Sequence, residues 1–134
     1  MKNEVYIDHV QKTICCALEG ELDIEESIIL SKELRKKASE LGFNVFYDAR
    51  KLYIKDSILP TDFTSKLSTL LEKLSSLLEV SLQRIVMIAI LYEPGEYEDY
   101  WGFYENVAVN RGLAVKIFTK KEEAMKWLQV ADKV

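Results

Sequence analysis

The sequence predicts one α/β domain on a mixed sheet of five strands, with an antiparallel N-terminal strand at one edge and the crossover helices mainly on one face. Three observations lead there. Strand-like and helix-like segments follow one another in the order ββαβαβαβα. Ile85-Val86-Met87-Ile88-Ala89-Ile90-Leu91 is apolar at every position, the pattern of a strand covered on both faces of a parallel sheet. Helix-start signals, Asp23 with Glu26 and Thr119 with Glu122, stand where the alternation needs them.

Glu4 to Val10 and Thr13 to Leu18 are rich in β-formers, and the two polar residues between them, Gln11-Lys12, predict a tight hairpin whose second strand ends at Gly20. Asp23 to Leu41 has apolar residues at helical spacing, Ile24, Ile28, Leu34, Ala38 and Leu41, with Gly42 at the stop. Phe43 to Tyr47 reads as a short buried strand, with Asp48-Ala49-Arg50 at its carboxyl end. An apolar loop, Lys51 to Pro60, leads to a long helix capped by Thr61 or Asp62, whose stripe runs from Phe63 to Leu78. After the central strand and a Glu93-Pro94-Gly95 turn, a helix spans about Tyr97 to Arg111. Tyr97, Trp101, Tyr104 and Ala108 fall on its inner face, and Tyr100 and Val107 lie beside it. Gly112 stops it, Leu113 to Phe118 forms the last strand, and Ala124, Trp127, Leu128 and Ala131 give the terminal helix its buried stripe. If successive strands are also neighbours in space, right-handed crossovers place every connecting helix on the same face.

The chain of 134 residues fits one domain, and 49% hydrophobic with 30% charged residues is a globular composition. A net charge of −4 argues against nucleic-acid binding and against docking on anionic membranes. No apolar run approaches the length of a bilayer span, which predicts no stable membrane insertion. The start, Met1-Lys2-Asn3-Glu4, has no apolar signal core, and the reading is a cytoplasmic protein.

Phe46-Tyr47-Asp48-Ala49-Arg50, Asn110-Arg111-Gly112-Leu113, Phe118-Thr119 and the tail Glu122 to Leu128 give the chain its resemblance to a known family. It resembles the STAS, or anti-sigma-factor-antagonist (SpoIIAA-like), family, and most closely the STAS/SEC14-like branch. The element order matches over nearly the whole chain, and the motifs match mainly in the last third. The resemblance implies a SpoIIAA-like β-α superhelix and a non-catalytic role in protein–protein regulation or small-ligand sensing. Family members with a phospho-switch carry Asp-Ser-Ser-Gly after the third strand. Here that position reads Asp48-Ala49-Arg50-Lys51, so the switch is not carried over. Ser57 and Thr61 are the hydroxyls nearest the next helix start, and Thr61 serves better as a cap than as a phosphosite.

No residue pattern points to catalysis or to a cofactor. The only cysteines, Cys15 and Cys16, are adjacent, so in a strand they point to opposite faces and do not bridge. With the single His9 they cannot complete a zinc site. His9 lacks a triad context. Glu93, Glu96, Glu98 and Asp99 have the bland explanation that acids favour a helix start. Two sets of residues are candidates for interaction. Asp48 and Arg50 lie at the carboxyl edge of the sheet, where open α/β sheets take ligands, although a local ion pair explains them as well. Tyr97, Tyr100, Trp101, Phe103 and Tyr104, with Tyr53 in the apolar loop, exceed what one core-facing stripe needs.

Two functions follow as expectations. One is a regulatory module that binds an unidentified protein or a second copy of itself as a homodimer, through the sheet end and the helix that carry Tyr97, Tyr100, Trp101, Phe103 and Tyr104, of which Tyr100 and Phe103 are rotated away from the inner face. The other is a carrier or sensor of a small apolar ligand. A cavity lined by the loop after the third strand and by the aromatic helix would favour the carrier; a filled core with a flat aromatic patch would favour the module.

Overall fold

The protein is described by a computed structural model over residues 1–55, 86–110 and 113–131. The described elements are β1 (Lys2–Asp8), β2 (Thr13–Glu21), α1 (Ile24–Leu41), β3 (Asn44–Tyr53), β4 (Met87–Leu91), α2 (Glu98–Asn110), β5 (Ala114–Phe118) and α3 (Lys121–Ala131). The helix expected from Thr61, the stop expected at Gly112, and Ser57 lie outside the described residues.

The five strands lie side by side in chain order. β1 runs antiparallel to β2, and β2 to β5 are parallel neighbours, as the element order predicts. The β2–β3 and β4–β5 crossovers each move one strand in the same direction, so their helices return on the same side. Accordingly α1 and α2 share one core with Cys16, Val45, Tyr47, Ile88 and Ile90. α3 is not a crossover and is free of that constraint. It packs on the other face through Ala124 and Leu128, against Cys15, Phe46, Ala89, Leu91 and Phe118. The adjacent cysteines therefore enter different cores, both as free thiols.

Local signals explain the element ends. The Asp23 carboxylate accepts from the Glu26 amide at 3.0 Å, a cap contributing about 1 kcal/mol. Gly42 ends α1 at φ +73°, where a side chain would be strained. Each described helix opens with two acids, Glu25 and Glu26, Glu98 and Asp99, Glu122 and Glu123, which suit the positive end of its dipole.

Several boundaries differ from the sequence expectation. The hairpin loop is not Gln11-Lys12 but four residues, His9 to Lys12, between strands ending at Asp8 and resuming at Thr13. The Asp8 carboxylate accepts from the amides of Val10 and Gln11, each at 3.0 Å, and Lys12 takes φ +51°. Such a side-chain-stabilised turn needs no Asn-Gly. β2 continues through Gly20 to Glu21. β3 runs on to Tyr53, so Lys51 to Tyr53 is strand rather than loop, with Leu52 buried. α3 begins at Lys121, after the Lys120 carbonyl has accepted from Ala124, and not from a cap at Thr119.

Among the described residues no helix is long and apolar enough to cross a membrane.

Candidate functional site

The side of the sheet that carries α1 and α2 holds an apolar cavity of about 60 Å³. β2 and its exit supply Leu18 and Leu22, β3 supplies Tyr47, Ala49 and Leu52, and β4 supplies Ile90. α1 contributes Ile28 and Ser31, and α2 contributes Trp101 and Tyr104. By alternation Tyr47 and Ala49 point to the helices and Asp48 between them to the opposite face, and one extra residue in β3 between Asp48 and Lys51 returns Leu52 to the helix side.

The aromatic residues of α2 form a ladder. Trp101 stands edge-to-face with Tyr100 at 5.4 Å and with Tyr104 at 5.9 Å between ring centres. Tyr100, expected to turn outward, is only 7% exposed. Positions 97, 100, 101, 104 and 108 make an apolar arc wider than the single stripe drawn from the sequence, and α2 buries most of it. Phe103 does turn outward, at 40% exposure, and Tyr97 and Tyr104 are half-buried.

Burial pushes the Tyr47 phenol far above its ordinary range, opposed by the charge of Arg35 and by Ser31. Tyr100 and Tyr104 are raised by burial as well. All three phenols are therefore neutral at physiological pH. The nearest buried charge is Arg35, 8% exposed, whose Nε and Nη2 have no hydrogen-bond partner among the described residues. Arg35 was not among the residues singled out from the sequence. The spacing of Ile28, Ser31, Arg35 and Ala38 places it on the buried side.

The other sheet face carries a second depression of about 630 Å³, lined among others by Lys2, Glu4, Glu19, Asp48, Arg50 and Glu93. The β2–β3 register shifts here: Ala17 pairs with Asp48 but Glu19 with Lys51, so β3 carries one extra residue. A bulge of this kind re-aims side chains. Arg50 grips Asp48 with two bonds, Nε to Oδ1 at 2.9 Å and Nη2 to Oδ2 at 2.7 Å. The two are mid-strand in β3. The parallel partner β4 ends opposite Asp48, at Leu91, so they still mark the carboxyl edge of the central sheet.

The Arg50 hydrogen bonds hold the Asp48 carboxyl below its usual range, against the opposing effect of burial. A depressed pKa adds stability above the unfolded value and loses it as pH falls through the folded one. The pair is partly exposed, so the gain is under about 1 kcal/mol. Arg50→Gln should raise the Asp48 pKa toward the ordinary value in a carboxyl-carbon NMR titration; an unchanged midpoint would contradict the pair.

The structure therefore divides the candidate residues. Trp101 and Tyr104 meet Leu52 at the cavity, Tyr100 braces them, and Asp48 with Arg50 lies on the opposite face. Tyr53 is 54% exposed and lines neither depression. Glu93, Glu96, Glu98 and Asp99 are grouped around the start of α2, mostly exposed. Thr61 is outside the described residues. A comparison of the sequence with protein-family profiles finds no match, and a comparison with curated proteins finds none.

Proposed function

We propose that this chain is a non-catalytic binding module of STAS-like type, whose cavity carries or senses a small apolar ligand. The observation that supports this reading is the cavity's position, between Leu52 after the β3 bulge and the Trp101–Tyr104 ladder of α2. Its walls are almost wholly carbon, and the neighbouring phenols stay neutral. An uncharged or weakly polar guest would lose little on leaving water there. Its size restricts the guest: drug-sized ligands need roughly 300–1,000 Å³, far more than the 60 Å³ present. The regulatory reading joins this one if occupancy changes how the domain meets a partner.

The test uses Trp101 as reporter. The other tryptophan, Trp127, sits on the far face against Phe118 and is replaced by Phe. Titration with the shortest n-alkanols, methanol to propanol, should shift Trp101 emission saturably. Ala49→Leu adds three carbons to the cavity wall and should weaken that binding at least about tenfold. The added bulk enters space already empty, so thermal stability should hold or rise. An emission that never responds, or one that responds equally in Ala49→Leu, would contradict the cavity as the site.

A further inference from the structure

β1 is an edge strand of seven residues, Lys2 to Asp8, paired to β2 without a register shift and with no strand on its other side among the described residues. Edge strands are usually blunted by brevity, proline, a bulge or charges that repel a second strand. β1 is not short and has neither proline nor bulge. Its charges, Lys2, Glu4 and Asp8, alternate onto one face together with Tyr6, and they are of both signs. On that face α3 contacts β3, β4 and β5, and among the described elements it does not reach β1. Tyr6 is 53% exposed there, and Val5 on the opposite face is 39% exposed.

We propose that the β1 edge pairs antiparallel with β1 of a second copy of this chain, about a two-fold axis at Val5. Two-fold pairing at Val5 sets Lys2 opposite Asp8 of the other copy, twice, and Glu4 opposite Tyr6, twice. Val5 meets Val5. All seven strand residues are used. The neighbouring registers are disfavoured by charge. Centring on Glu4 places Glu4 against Glu4, and centring on Tyr6 places Glu4 against Asp8. Like charges directly opposite one another destabilise a pair, whereas opposite charges support it. Lys2 and Asp8 form no ion pair within the chain among the described residues. The Asp8 Oδ1 atom is engaged by the turn amides, which fixes the carboxylate at the strand end. The result is one continuous sheet through both copies. A single edge pairing is a small interface, so the association is weak, on the order of micromolar or weaker.

Sedimentation velocity from about 10 µM to 1 mM should show the average mass rising from 15.5 kDa toward twice that value. Lys2→Glu sets a carboxylate against Asp8 of the other copy, and Asp8→Lys sets a second ammonium against Lys2 of the other copy. Each should weaken self-association at least about tenfold. Mixed in equal amounts they should associate again, because both end pairs of the mixed dimer are then of opposite sign. Asp8→Lys also removes two turn bonds, so circular dichroism checks its fold. If it does not fold, Lys2→Glu alone should still be monomeric where the native chain associates, and raised salt should weaken the native association. A native chain that stays monomeric throughout would overturn the proposal. So would a dimer that Lys2→Glu leaves intact, or two folded variants that do not associate when mixed.

Discussion

Leu128→Ala should destabilise the protein by about 2–5 kcal/mol, the range for emptying a fully buried leucine site. Leu128 has no exposed surface and sits where α3 meets Phe46, Ala89, Leu91 and Phe118. α3 is the only described helix on that face, so no second described helix can close over the space. Urea unfolding should show a lower midpoint with an unchanged slope. A loss below about 1 kcal/mol would mean that α3 is not docked as described.

Asn44→Ala should cost about 2–4 kcal/mol, from the loss of hydrogen bonds to buried groups. Asn44 is 1% exposed at the start of β3. Its Oδ1 accepts from the Met87 amide at 3.0 Å, and its Nδ2 donates to the Leu128 carbonyl at 3.4 Å. One side chain thus ties β3, β4 and α3 together. Asn44→Asp keeps an acceptor for Met87 but turns an oxygen toward the Leu128 carbonyl and buries a charge, so it should be no milder. Because Asn44 and Leu128 support the same helix, the double variant Asn44→Ala/Leu128→Ala should lose less than the sum of the two. Strict additivity, read from the same urea curves, would show that the contacts act independently.

Elements whose signals are local were legible in the sequence. The Asp23 cap, the Gly42 stop and the two-faced apolar strand around Ile88 each rest on chemistry within a few residues. The opposite orientation of Cys15 and Cys16 follows from strand alternation alone. Features set by distant neighbours were not legible. The length of β3 was hidden because the loop reads as starting at Lys51, whereas Lys51 to Tyr53 continue the strand after a bulge. The side taken by α3 depends on which face the crossovers leave free, and nothing in its own sequence states that. Tyr100 was placed outward because the apolar arc of α2 was drawn too narrow. Of the candidate site, Trp101 and Tyr104 could be read from helical spacing. Arg35 could be read from the same spacing in α1, whereas Ala49 and Ile90 could not, since they meet at the cavity only once the strands and helices have packed.

The ligand claim is tested most directly by methyl NMR during titration with propanol, which reports position as well as binding. The methyls of Leu18, Leu22, Leu52 and Ile90 surround the cavity, and those of Met87 and Met125 lie against the opposite core. Saturable shifts confined to the first group, and suppressed in Ala49→Leu, are the predicted result. Shifts centred on Met87 and Met125, or none at any methyl, would contradict it.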